Sequence, residues 1–278
     1  MKPFELFRSG TILVPTDFSP VCDNAVSTGV KLAAASGSKV CILHITNKKN
    51  RNRLKEIGSE PGFFENKRKA YQDLYKETEN VQVDVIQREG LIYTTINETV
   101  KEIGANLVVM GTHGKKGWQR LLGSDIFKIV YESPVPTVVV QNLPLNETRK
   151  IVVPFIDDYD IDTRFQFIKQ VARQFDAEIL FFQPNETDPA LNDRLSAFVH
   201  DLTSRLKNEQ IPNSTALAGV KSSYQVALRS FAGLHKGSMI LIMVRHSLEV
   251  PAISPADWYE DLLFNPEQIP VMVINLTE

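Results

Sequence analysis

Val108–Ser124 reads VVMGTHGKKGWQRLLGS: a short apolar strand, then a loop with glycines at 111, 114, 117 and 123, then a serine placed to start a helix. A strand that hands the chain to a helix across such a loop is the repeating step of an α/β fold built on a parallel sheet. The same stretch suits an anion. Phosphate oxygens need several N–H donors at close range, and Gly111, Gly114, Gly117 and Gly123 let backbone approach without a Cβ in the way. Ser124 is placed to cap the helix carried by Ile126, Phe127 and Val130, whose positive end then faces the same point. The spacing is neither a P-loop, which needs Gly-Lys-Ser/Thr, nor the dinucleotide fingerprint, which follows the first strand of its unit. The glycines would equally suit a tight turn that only joins strand to helix.

Upstream of this loop the same alternation repeats. Thr11–Val14 is a continuous apolar strand ended by the polar turn Pro15-Thr16-Asp17. Ser19 caps a helix with Pro20 at its first position, Val26, Val30 and Ala33 share a face, and Gly37 closes it. Strand 39–45, a charged helix at 63–77, strand 81–87, helix 94–103 and strand 107–110 lead into the glycine loop. Helix 124–131 and strand 137–141 follow it, giving five strands with alternating helices.

The chain then starts again. Ile151-Val152-Val153-Pro154 repeats Ile12-Leu13-Val14-Pro15 at an offset of 139, which also sets Ala172 on Ala33 and Gln183 on His44 without a gap. Ile161, Phe165, Ile168, Ala172 and Phe175 give the helix between them an apolar face. Helix 191–207, strand 214–219, helix 222–234, strand 239–244 and strand 270–274 follow in the order of the first half. The expected domains are 1–144 and 145–278, joined by a linker at 142–148.

Composition narrows the function classes. With 43% apolar and 23% charged residues the chain reads as a soluble globular protein, and no segment has the uninterrupted apolar length of a membrane span. MKPFELFRSG at the start lacks the apolar core of a signal peptide, so a cytoplasmic location is expected. A net charge of −2 offers no global basic field, which disfavours nucleic acid as a partner. Cys22 and Cys41 have no Cys or His at metal-ligand spacing and read as buried reduced thiols. The basic run Lys48, Lys49, Arg51, Arg53 and Lys55 lacks interleaved aromatics and reads as a solvated loop.

ILVPTDFS near the start, MGTHG after the fourth strand, GS opening a helix and PVPTVVV as a last strand together resemble the universal stress protein family, and the second copy resembles a tandem member. The resemblance implies two tandem five-stranded parallel-sheet α/β domains of strand order 3-2-1-4-5 with helices on both faces, packed as an intrachain pseudo-dimer; a homodimer is the other assembly it allows. It also implies a stress-response module that binds ATP, with or without Mg, through Gly-x2-Gly-x9-Gly-Ser/Thr. Carried over, that motif falls on Gly111, Gly114, Gly123 and Ser124, with eight residues, Lys115 to Leu122, where the family has nine. By the same resemblance Pro15, Thr16, Asp17 and Ile45 lie by adenine and ribose, Met110 packs on the base, and His113 sits inside the phosphate loop.

The sheet order itself puts Asp17 and Gly111 at one switch point, where α/β sheets bind ligands. Asp17 would also serve as a turn residue bonding local backbone, and Ile45 and Met110 as core. Lys115, Lys116 and Arg120 would neutralise phosphate charge or stay solvated. In the second half only His246 matches the motif. Ile156 replaces Asp17, and Asp257, Glu260 and Asp261 put negative charge where a phosphate would sit. Trp258, Leu262 and Phe264 would form a helix face that plugs the crevice or packs in the core.

The expected function is therefore an adenine-nucleotide-binding module whose first domain holds ligand and reports to an unidentified protein partner, the second being structural or regulatory. The alternatives are a scaffold without nucleotide, or a slow metal-dependent ATP hydrolase in which Asp17, His113 and Lys115 are the only candidates. No catalytic residue and no metal ligand is assigned.

Overall fold

The structure is a computed structural model of the chain. It describes residues 9–46, 62–112, 125–142, 145, 148–155, 160–219, 223–245 and 260–276, the side chains of 125–127 and 245 excepted. The chain forms two compact units that divide between residues 144 and 145.

In the first unit the elements are β1 (Thr11–Thr16), α1 (Pro20–Ser36), β2 (Lys39–Thr46), α2 (Phe63–Thr78), β3 (Val83–Glu89), α3 (Ile92–Ile103), β4 (Ala105–Gly111), α4 (Asp125–Glu132) and β5 (Thr137–Val140). The strand order is β3-β2-β1-β4-β5, and every pairing is parallel. A central parallel strand is covered on both faces, so its sequence must be apolar without alternation. Ile12, Leu13 and Val14 of β1 are at most 2% exposed, and Val40, Ile42 and Leu43 of β2 are fully buried. Strand β3 buries Val83 and Val85 while Asp84 and Ile86 are half-buried and its last three residues are exposed. Helix α1 lays Ala25, Val26, Val30 and Ala33, all at 0% exposure, on this sheet. Each fully buried valine is worth about 1.5–3 kcal/mol of transfer free energy. Gly37 ends α1 in the left-handed conformation (φ 66°), its N–H donating to the Ala33 carbonyl.

Several details differ from the sequence reading. Strand β1 does not stop at Val14 but runs through Pro15 to Thr16, paired with Leu43 and His44. A proline near a strand end sacrifices little, because the ladder is about to end. Ser19 is the N-cap of α1, but its hydroxyl makes no capping bond to the helix backbone. Helix α3 begins at Ile92, two residues before the sequence suggested.

The second unit repeats the walk: β6 (Lys150–Pro154), α5 (Ile161–Phe175), β7 (Glu178–Gln183), α6 (Pro189–Asn208), β8 (Asn213–Leu217), α7 (Tyr224–Leu234), β9 (Ser238–Arg245) and β10 (Val271–Leu276). Its parallel order is β10-β9-β6-β7-β8, which is the same 3-2-1-4-5 arrangement counted from β6. Helix α6 starts at Pro189 rather than Leu191, because the Asp188 carboxylate accepts the Ala190 N–H at 2.9 Å. No helix among the described residues is long and apolar enough to cross a membrane.

Candidate functional site

The carboxyl ends of β1 and β4 part company. Their pairing ends at Leu13↔Val108, whereas β1 stays paired with β2 as far as Thr16↔His44. Beyond Val108, β4 pairs with β5 through Met110↔Val139 and Gly111↔Val140. Between the diverging ends lies the switch-point crevice of an open parallel sheet.

The turn from β1 into α1 forms one wall and is pinned at every residue. The Phe18 N–H donates to Thr16 Oγ1 at 2.9 Å, and the Ser19 N–H donates to Asp17 Oδ1 at 2.9 Å. Thr16 is 7% exposed and Asp17 half-buried, with Pro15 half-buried before them. Phe18 takes a left-handed backbone conformation at φ 60°, which costs a non-glycine residue about 1–3 kcal/mol. Its ring offsets that strain by packing: His44 lies 4.7 Å away, Phe63 5.6 Å away edge-on, and Tyr71 6.3 Å away in a stack.

His44 is 3% exposed, and its Nδ1 lies 3.0 Å from the Thr16 carbonyl. A carbonyl only accepts, so Nδ1 carries the proton. Burial holds the His44 pKa below the ordinary histidine value, against the raising influence of that hydrogen bond and of Asp17. Sequence reading passed over both Phe18 and His44; the available signal was a single histidine inside an otherwise apolar strand, KVCILHIT.

The other wall is the end of β4. Met110 is 2% exposed and Ile45, at the end of β2, 6% exposed, so both are packed as core. Gly111 has a structural task of its own. A Cβ there would lie 2.6 Å from the Val21 carbonyl oxygen and 3.1 Å from the Cys22 nitrogen, so the first turn of α1 seats against this strand only because the residue is glycine. Thr112 follows, fully buried, its N–H donating to the Val140 carbonyl at 2.9 Å. Of the sequence-proposed residues, Pro15, Thr16 and Asp17 lie at the end of β1 and its turn, Met110 and Gly111 at the end of β4, and Ile45 at the end of the neighbouring β2. His113, Gly114, Gly123 and Ser124 lie outside the described residues.

Both cysteines are free and buried. Burial, then the charge of Asp17, pushes the Cys22 thiol up to about 12, and burial pushes Cys41 up to about 11, so neither is a thiolate nucleophile near neutrality. Among the described residues no group of three or more His, Cys, Asp or Glu side chains gathers to hold a metal ion.

In the second unit aromatic rings gather around the end of β6. Phe155 stands where Thr16 stands under the offset of 139. It is fully buried, its N–H donates to the Phe182 carbonyl, and its ring lies 5.4 Å from both Phe181 and Phe198. The Arg164 guanidinium, 2% exposed, sits 6.0 Å over the Phe155 ring. Tyr224 donates to the same Phe182 carbonyl at 2.6 Å. Leu262 and Phe264 are buried, whereas Ile156, Asp257 and Trp258 lie outside the described residues.

The sequence profile of the universal stress protein family matches residues 9–141. Through those residues the first unit belongs to the universal stress protein family. Solved structures extend the likeness, as one of fold, across nearly the whole chain. A universal stress protein from Archaeoglobus fulgidus DSM 4304 aligns over 96% of this chain and 98% of its own, with a TM-score of 0.72 at 16% identity. A putative universal stress protein from Pseudomonas aeruginosa UCBPP-PA14 aligns over 98% and 95%, with a TM-score of 0.63 at 14% identity. At such identities the likeness is one of fold, here of the tandem arrangement. A shorter universal stress protein, solved in complex with cAMP, aligns over 48% of this chain and 98% of its own, with a TM-score of 0.40 at 23% identity. No curated protein sequence matches the chain.

Proposed function

We propose that the first unit is an adenine-nucleotide-binding module. It takes ATP, with or without Mg, in the crevice between the β1–α1 turn and the end of β4, and it reports occupancy to a protein partner. The second unit is structural or regulatory. The observation that carries this reading is the parting of β1 from β4, with Asp17 the first residue past the end of β1. A half-buried carboxylate at a switch point is an acceptor for ribose hydroxyls or an exocyclic amine. Membership of a family that often binds adenine nucleotides supports the same ligand. The rings over the end of β6 in the second unit leave no comparable carboxylate-lined wall among the described residues.

A second reading, a scaffold without nucleotide, draws on Gly111. Its lack of a Cβ is fully used by the contact with α1, so this glycine needs no ligand to explain it. A slow hydrolase would require a bound metal to organise the transferred phosphoryl group.

The deciding experiment is calorimetric titration of ATP, ADP and AMP into the full chain with Mg, beside Asp17→Ala and Gly123→Val. Saturable binding at a single site, weakened by both substitutions, is the expected outcome. Absence of heat with all three nucleotides would leave the scaffold reading. Metal-dependent turnover lost in His113→Ala with binding retained would favour the hydrolase.

A further inference from the structure

We propose that His44 is a positioning residue for the first-unit crevice: by its Nδ1–H bond to the Thr16 carbonyl, it fixes the turn that presents Asp17. The inference rests on the nucleotide reading for its ligand and on the geometry of the turn for its mechanism.

Asp17 stands between two residues that His44 holds. On one side the Thr16 carbonyl accepts the His44 Nδ1–H at 3.0 Å, across the register Thr16↔His44 of the β1–β2 ladder. On the other side Phe18 turns left-handed at φ 60° with its ring 4.7 Å from the imidazole. The Phe18 and Ser19 N–H groups then close the turn onto Thr16 Oγ1 and Asp17 Oδ1. A carboxylate held this way has its direction set before a ligand arrives, and such preorganisation lowers the cost of binding. From outside, Phe64 lies 6.3 Å from the imidazole, and Phe63 and Tyr71 back the Phe18 ring.

The second unit supplies the comparison. There Ile156 stands in place of Asp17, and Gln183 stands in place of His44. Gln183 is as buried as the histidine, at 6% exposed, but its amide donates to the Leu195 carbonyl on α6 and not to the end of β6. At the two aligned positions the second repeat has neither the carboxylate of Asp17 nor the imidazole of His44. A histidine needed only to fill space between β2 and α2 would show no such pairing with Asp17.

The experiment compares wild type, His44→Leu and His44→Asn in the full chain, by calorimetric titration of ATP and AMP with Mg and by amide hydrogen exchange at Phe18 and Ser19. Asparagine keeps an N–H donor near the position of Nδ1, and leucine keeps only bulk. The expected result is affinity weakened roughly tenfold in His44→Leu, the size of one buried hydrogen bond, together with faster exchange at both amides. His44→Asn should restore both to near the wild-type values. Equal affinity and equal exchange in all three proteins would overturn the proposal. So would losses as large in His44→Asn as in His44→Leu, which would assign the effect to ring packing alone. If wild type binds neither nucleotide, the nucleotide reading falls by itself, and exchange at Phe18 and Ser19 still decides whether His44 fixes the turn.

Discussion

Gly111 and His44 show how single residues set this crevice. A methyl group at Gly111 meets backbone, at 2.6 Å from the Val21 oxygen, and backbone cannot swing aside as a flexible side chain would. Gly111→Ala should therefore cost about 1–3 kcal/mol, the range for overpacking, read as a lower thermal midpoint in ligand-free protein. An unchanged midpoint would mean that α1 shifts freely. His44 makes a pH-dependent contribution. Its folded pKa lies below the unfolded value because burial disfavours the cation, so below about pH 6.5 the unfolded chain takes up its proton first. The contribution is complete above that pH and is lost as the pH falls from there to the folded pKa. Melting curves between about pH 7.5 and 5 should show this loss, and His44→Leu should remove it from the slope.

Among elements, α2 is anchored through a single buried residue. Tyr71 is its only buried residue, and it meets Phe18 by ring stacking and donates its hydroxyl to Asp23 of α1. Burial and then the Asp23 hydrogen bond push the Tyr71 phenol well above its ordinary pKa, so it stays a donor throughout the working range. Tyr71→Phe keeps the stack and removes the bond, at an expected cost of about 1 kcal/mol. Exchange should quicken in α2 more than in α1, which has a buried face of its own. At this scale the sequence was most readable. Continuous apolar runs at β1, β2 and β4, Pro20 opening α1 and Gly37 closing it all act within a few residues, where periodicity and caps are visible. The Asp188-Pro189 start of α6 was also written locally, as an acidic cap followed by proline, but the apolar pattern drew the start to Leu191. Contacts made at long range left no local trace. His44 reaches back 28 residues to Thr16, and Gly111 meets α1 across the unit, a packing role that the local sequence does not display. The turn role of Asp17, whose Oδ1 accepts the Ser19 N–H, was legible because an Asp just past a strand end is a local signal.

In the whole molecule each unit has a buried core of its own, so a core perturbation should act first on the strands of the unit that receives it. Asn265 offers the counterpart to Gly111 in the second unit. It is fully buried, donates to the Leu262 and Ile269 carbonyls at 2.8 Å each, and accepts the Ile269 N–H at 2.7 Å. Asn265→Ala would leave those groups without this partner, at about 1–3 kcal/mol for an unsatisfied buried group. Residue-resolved hydrogen exchange should then separate the two changes: Asn265→Ala loosens β9 and β10 and spares β1 and β2, and Gly111→Ala does the reverse. A ligand adds a third arm. ATP at about a hundred times its dissociation constant stabilises the state that binds it by about 2.7 kcal/mol, so its protection should fall on β1, the β1–α1 turn and β4. Protection that appeared equally at β6 and β9 would place a nucleotide in the second unit as well. It would also mean that the rings around Phe155 open to admit it.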